Sequence, residues 1–157
     1  MNNPHPLLEL QSIMQRNVKT VTPDTTLYDA VTLFQRQNVS SLPVVNKDNA
    51  VCGIISQQDI IRFMLNDVIT MKSFVKDHMR KNIVKFFPSD CIIDVCEFFV
   101  KSTESEAFIF SKDSLVGMIK RNEILDLLMV VLETQVLMDK STVHNNITDL
   151  HKERRVV

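Results

Sequence analysis

Apolar positions in this chain fall into two series that match one another at a nearly fixed spacing. Leu27, Ala30, Val31 and Phe34 recur at i, i+3, i+4 and i+7, the period of one helical face. Ile92, Val95, Cys96 and Phe99 repeat that stripe 65 residues later (92 − 27). Thr26 with Asp29 ahead of the first stripe, and Asp90 or Cys91 with Asp94 ahead of the second, read as helix starts of the capping-box kind. A short apolar run follows each helix, Leu42-Pro43-Val44-Val45 and Ala107-Phe108-Ile109-Phe110. A polar turn and a second run come next, at 51–55 and at 115–119, and this predicts a β-hairpin in each half. A second helix is expected after each hairpin, from near Gln57 and from near Asn122.

The chain has two glycines, and both sit in the second run of a hairpin. Gly53-Ile54-Ile55-Ser56-Gln57-Gln58-Asp59-Ile60 matches Gly117-Met118-Ile119-Lys120-Arg121-Asn122-Glu123-Ile124 at an offset of 64 (117 − 53). A glycine inside a strand marks a place where another backbone comes close. Upstream, Met14-Gln15-Arg16-Asn17-Val18 matches Met79-Arg80-Lys81-Asn82-Ile83, and Pro23 matches Pro88, at an offset of 65 (79 − 14). With Pro43 aligned to Ala107 the offset is 64 (107 − 43), which places one missing residue in the loop before the second hairpin.

Each half therefore reads as short strand, helix, strand, strand, helix, an α+β arrangement whose halves must pack together to cover both faces of their sheets. The predicted organisation is an N-terminal segment at 1–12, a first motif at 13–66 and a connecting helix at 67–77. A second motif follows at 78–132, then the end of a long helix and a polar tail at 133–157. The connecting helix draws on Val68, Ile69, Met71, Phe74 and Val75, and no Gly/Ser linker separates the halves. The last helix, 124–138, carries two apolar stripes, Ile124, Leu128 and Val131 beside Leu125, Met129, Leu132 and Val136. One face is expected on the domain and the other against a second chain, as a homodimer; the alternative buries both faces within one protomer.

Composition narrows the function by exclusion. A net charge of −1 gives no basic footprint for nucleic acid or an anionic membrane. The longest apolar run, 127–132, is far short of the ~20 residues of a membrane span. No basic segment followed by an apolar stretch opens the chain, so no secretory signal is read. Cys52, Cys91 and Cys96 lie in apolar segments, which suits reduced thiols and a cytoplasmic location. A metal held by Cys91 and Cys96 is the weaker alternative, since no nearby His completes a set. His5, His78, His144 and His151 show no ligand spacing, and no HExxH, P-loop, GxGxxG or nucleophile–base pair is present, so no enzyme activity is expected.

Three signatures in order carry a family likeness: Asn17-Val18-Lys19-Thr20-Val21-Thr22-Pro23, then Val39-Ser40-Ser41-Leu42-Pro43-Val44-Val45, then the Gly53 to Ile60 element. This order resembles a CBS motif, named after cystathionine β-synthase, and the second half resembles a diverged copy. Together they are similar to a tandem CBS pair, or Bateman module, over roughly 13–129. The resemblance implies two motifs packed through their sheets about a pseudo-two-fold axis, with two clefts between them. It implies a regulatory module that senses an adenine nucleotide or adenosyl compound, with AMP, ADP, ATP or S-adenosylmethionine as ligands and no required cofactor. It also implies pairing of modules and a regulated protein partner.

In the family a Ser or Thr and an Asp at this spacing hold phosphate and ribose, and the matching residues here are Ser56 and Asp59. Physically, a helix start offers unpartnered N–H groups and a favourable dipole to an anion, and a carboxylate one turn on offers acceptors to a diol. The same Ser-x-x-Asp pattern is also a simple helix cap. Asn17, Val18, Thr20, Ser41, Leu42, Pro43 and Val44 are the matching candidates for the purine, with core packing as the plain alternative for the apolar ones. In the second copy Ile83, Lys85, Ala107, Lys120 and Glu123 occupy the corresponding positions. Lys120 for Ser56 and Glu123 for Asp59 imply an altered or empty second cleft, unless the two simply pair on the helix surface. A ligand-free interaction or dimerisation module with vestigial clefts is the alternative function.

Overall fold

The helix starts expected from the sequence are made by the residues that signalled them. The computed structural model describes residues 9–65, 70 and 72–136, with side chains up to residue 130. Thr26 Oγ1 accepts the Asp29 N–H at 3.1 Å and donates to Asp29 Oδ2 at 2.7 Å, opening α1 (Leu27–Gln37). That helix closes on Asn38, whose φ of 50° is the left-handed conformation that asparagine tolerates at a helix end. Cys91 N–H donates to Asp94 Oδ2 at 3.0 Å as α3 (Ile92–Lys101) begins. Leu27, Ala30 and Phe34 of the first stripe and Ile92, Val95 and Phe99 of the second are buried.

Each half contains the expected hairpin. β1 (Ser41–Val45) pairs antiparallel with β2 (Val51–Ser56), and α2 (Gln57–Leu65) follows at once. β3 (Glu106–Ser111) pairs antiparallel with β4 (Ser114–Lys120). The run from Ser41 to Val44 is buried without alternation, as is that from Glu106 to Phe110, which means both faces of these strands are covered. One apolar cluster joins the halves, with Leu42, Val44, Ile54 and Ile55 of the first hairpin packed with Phe108, Phe110 and Met118 of the second.

The register corrects the alignment of the halves. Val44 stands opposite Gly53 and Ile109 opposite Gly117, so β3 follows β1 by 65 (109 − 44) while β4 follows β2 by 64 (117 − 53). The missing residue lies within the hairpin, where both ladders shift register, and not in the preceding loop. The counterpart of Pro43 is therefore Phe108 rather than Ala107, and that of Ser41 is Glu106. In a strand this one-residue difference exchanges the two faces.

The segments leading into each motif are not full strands. They make single bridges, and they make them to the opposite half. Gln15 exchanges two hydrogen bonds of 2.9 Å with Met118, and Arg80 exchanges two of 2.8 Å with Ile54. Each chain segment then returns to its own half, with Val21 beside Val44 and Phe86 beside Ile109. Farther upstream, Leu10 N–H donates to Asp90 O and Gln11 N–H to Pro88 O; Val75 N–H to Thr25 O and Lys76 N–H to Pro23 O repeat these contacts in the other half. The repeat thus begins at Glu9 and Phe74 and includes two 3-10 helices, Leu10–Ser12 and Val75–Asp77. Of the expected connecting helix, Phe74 and Val75 belong to this 3-10 region, and Val68, Ile69 and Met71 lie outside the described residues.

The crossed segments explain the glycines. A Cβ on Gly53 would meet Met79 Sδ, stand 2.9 Å from Met79 Cγ and 3.1 Å from Arg80 O. On Gly117 it would stand 2.7 Å from Met14 Sδ and 3.0 Å from Gln15 O. The backbone oxygens are pinned by the bridges and cannot withdraw freely. Gly53→Ala and Gly117→Ala are each expected to lower stability by about 1–3 kcal/mol, as overpacked sites do. A shift of the urea midpoint in both variants checks this, and unchanged midpoints would show that the methionines move aside without cost.

The chain divides into two compact units, residues 1–121 and 122–157, and both hairpins belong to the first. The described part of the second is helix α4 (Arg121–Val136), which begins one residue before it. On it Ile124 is buried and Leu125, Leu128, Met129 and Val130 are exposed. The side chains of Val131, Leu132 and Val136, and the whole of the tail, lie outside the described residues. No helix among the described residues is long and apolar enough to cross a membrane.

Candidate functional site

The last residue of β2 and the first turn of α2 place Ser56 and Asp59 side by side, 6% and 4% exposed. Ser56 Oγ donates to Asp59 Oδ2 at 2.6 Å, Ser56 N–H donates to the same oxygen at 3.0 Å, and Asp59 N–H donates back to Ser56 Oγ at 3.1 Å. The cap reading of this pair is therefore realised in full. Such a reciprocal cap satisfies two backbone donors at the start of the helix.

A third donor reaches Asp59 from the second half. Because Arg80 is clipped by its backbone to Ile54 on the free edge of β2, its side chain lies beside α2. Its Nε donates to Asp59 Oδ2 at 3.0 Å and its Nη1 pairs with Glu104 Oε1 at 2.8 Å. Burial works against the guanidinium charge, yet the hydrogen bonds and charges of Glu104 and Asp59 outweigh it and hold the Arg80 pKa above the ordinary arginine value. Next to this pair, Glu106 opens β3 and is 4% exposed. Its two oxygens accept the Ser40 N–H at 2.8 Å and the Ser41 hydroxyl at 2.7 Å.

Two cavities meet these carboxylates. The larger, about 310 Å³, is lined by Ser41, Ser56, Gln57, Thr103, Glu104 and Glu106 among others, so it faces the start of α2 on one side and the loop before β3 on the other. The smaller, about 190 Å³, is lined by Arg80, Asn82, Glu104 and Glu106 with apolar walls from Val84, Phe98 and Phe108. Hydroxyl and amide groups in the first can hydrogen-bond a sugar, and the aromatic and aliphatic walls of the second can hold a flat ring.

The sequence-predicted residues divide into several groups. Ser41 and Ser56 line the larger cavity, and Asp59 stands behind Ser56 without lining it. Leu42 and Val44 are fully buried core residues, Pro43 is buried with its carbonyl accepting the Val21 N–H, and Val18 packs against the core. Asn17 and Thr20 line neither cavity. In the second half, Ile83 packs on the core and Ala107 is buried. Lys85 pairs with Asp113 at 3.1 Å, and Lys120 Nζ donates to Asn38 O at 3.1 Å. Glu123 lies in the first turn of α4. The residues that do line the smaller cavity, Asn82, Val84, Glu106 and Phe108, are the immediate neighbours of Ile83, Lys85 and Ala107. The register correction accounts for Ala107, whose place at the cavity is taken by Phe108; Ile83 and Lys85 keep their offset of 65 from Val18 and Thr20, and it is their neighbours Asn82 and Val84 that line the cavity. Sequence reasoning placed none of Arg80, Glu104 and Glu106 in the site.

Comparison with known proteins agrees with this architecture. A CBS domain family model matches residues 10–66. Two uncharacterised proteins of Methanocaldococcus jannaschii are each 27% identical, over 76% and 78% of this chain, and the chain spans 42% and 40% of their lengths. Among solved structures, the CBS-domain containing protein ATU1752 from Agrobacterium tumefaciens has a TM-score of 0.70 at 18% identity, covering 76% of this chain and 98% of that one. The CBS domain pair of protein MJ0100, in complex with 5′-methylthioadenosine and S-adenosyl-L-methionine, has a TM-score of 0.68 at 18% identity, covering 76% and 94%. CBSX2 in complex with AMP has a TM-score of 0.67 at 16% identity, covering 79% and 98%. At these identities the likeness to solved structures is one of fold.

Proposed function

We propose that this chain, whose first motif is a CBS domain and whose two halves have the fold of a tandem CBS pair, is a regulatory module that binds an adenine nucleotide or adenosyl compound. The observation that carries the reading is the cavity of about 310 Å³ between the start of α2 and the loop before β3, walled by hydroxyl, amide and carboxylate groups. The ligands held by two relatives of the same fold, AMP in one and adenosyl compounds in the other, support the ligand class. A ligand in this cavity touches Ser56 of the first motif and Glu104 of the second, so it acts on both halves at once. It shifts a conformational or association equilibrium only by binding one state better than the other. The three unpaired thiols support a reducing, cytoplasmic setting.

A thermal-shift panel of AMP, ADP, ATP and S-adenosylmethionine tests the reading. A ligand at about 100 times its Kd is expected to stabilise the folded state by about 2.7 kcal/mol. A null result across the panel favours the second reading, an interaction or homodimerisation module with vestigial clefts. That reading has its own support in an apolar groove of about 260 Å³ between α1 and α2, lined by Val31, Phe34, Ile60, Ile61 and Met64. Ile61, Met64 and the neighbouring Leu65 are 60%, 55% and 80% exposed.

A further inference from the structure

We infer that the larger cavity sorts adenosyl ligands by the charge of the 5′ substituent, accepting neutral or cationic compounds and disfavouring phosphorylated ones. This rests on the adenosyl-binding reading above and concerns the same cavity. The starting point is hydrogen-bond supply. A phosphate beside Ser56 at the start of α2 needs donors, and those of Ser56, Gln57 and Asp59 are committed elsewhere. The single hydroxyl proton of Ser56 goes to Asp59 Oδ2, and so does the Ser56 N–H. Gln57 N–H donates to Ser40 O at 2.8 Å, and Asp59 N–H donates to Ser56 Oγ. Both Ser56 donors expected for a phosphate are thus taken by the protein's own carboxylate.

Charge points the same way. Glu104 and Glu106 line the cavity, and no Lys or Arg is among its described lining residues. Glu106 is fixed there by Ser40 and Ser41, two neutral donors that orient its charge without cancelling it. Arg80 neutralises Asp59 and Glu104 in part, but it lines the smaller cavity. Lys120, opposite Glu106 across the β3–β4 ladder, donates to Asn38 O and lines neither cavity. A phosphate dianion in the larger cavity therefore meets fixed like charge, whereas a sulfonium meets opposite charge. At the effective dielectric of a protein surface, charges a few ångströms apart change affinity by about tenfold or more.

Isothermal titration of the whole chain with S-adenosylmethionine, 5′-methylthioadenosine, AMP and ATP, at one ionic strength, reads this directly. The expected order of affinity is S-adenosylmethionine, then 5′-methylthioadenosine, then AMP, then ATP, with at least about a tenfold gap between 5′-methylthioadenosine and AMP. Glu106→Gln, which keeps the size and an acceptor for Ser41, is expected to narrow that gap several-fold. AMP binding as tightly as 5′-methylthioadenosine to the unmodified chain overturns the charge inference and leaves the adenosyl-binding reading standing. Absence of binding by all four removes that reading and this inference together. The comparison in the unmodified chain decides the matter even where Glu106→Gln folds poorly.

Discussion

Asp59→Ala is expected to lower stability by about 2–3 kcal/mol and to reduce ligand-induced stabilisation by releasing Ser56 and Arg80, which Asp59 holds at the two cavities. The substitution removes two interactions. Removing the cap costs about 0.5–2 kcal/mol, and removing a charged acceptor costs about 1.5–3 kcal/mol per hydrogen bond. The sum is discounted because Arg80 is 38% exposed and keeps its pairing with Glu104 after the change. Asp59→Asn separates the contributions, since it keeps an acceptor for the cap and removes the charge that faces Arg80. It is expected to fall between wild type and Asp59→Ala. Chemical denaturation of the three proteins gives the order, and melting with and without ligand gives the second effect. A ligand-induced shift of equal size in Asp59→Ala and wild type would separate Asp59 from binding and leave it as a structural link between the halves.

The second large effect concerns a residue that lines neither cavity. Leu10→Ala is expected to cost about 2–5 kcal/mol, the range for a large side chain removed from a packed core. Leu10 is fully buried although it lies near the start of the chain, and its N–H is bonded to Asp90 O at 3.0 Å. It occupies in the second half the place that Val75 occupies in the first. A urea midpoint close to that of wild type would mean that the first 3-10 helix is detachable and contributes little to the core.

Much of this architecture is legible in the order of residues. The helix stripes, the caps at Thr26 and Asp94 and the paired hairpins all follow from local periodicity and local hydrogen bonding, which leave a mark on neighbouring positions. The register of the second hairpin does not. A residue lost inside a bulged turn leaves the same letter count as one lost before the strand, and only the pairing of Ile109 with Gly117 distinguishes them. Resolving that ambiguity moves one position of the second cleft, from the buried Ala107 to Phe108, and makes Glu106 the counterpart of Ser41. Glu106 was passed over because a charge at the start of an apolar run looks like the edge of a loop; its burial depends on Ser40 and Ser41, 66 and 65 positions away. Arg80 has a similar history. Its role comes from crossing to the opposite hairpin, a contact between distant segments with no local signature. The Ser56-x-x-Asp59 pattern is legible both as a cap and as a cleft rim, and the cap is formed in full.

The exchange of leading segments has a topological consequence. Cut between its halves, this chain would yield two polypeptides that each carry a spare edging piece and lack the one they need. Ile54 would lose Arg80, and Met118 would lose Gln15. Two such fragments can complete one another only by reciprocal donation, as in a strand-swapped pair. The intact protein therefore holds in a single covalent thread an arrangement that separate half-length chains could reach only by assembling in trans, and its cooperative unit is the duplex rather than either repeat.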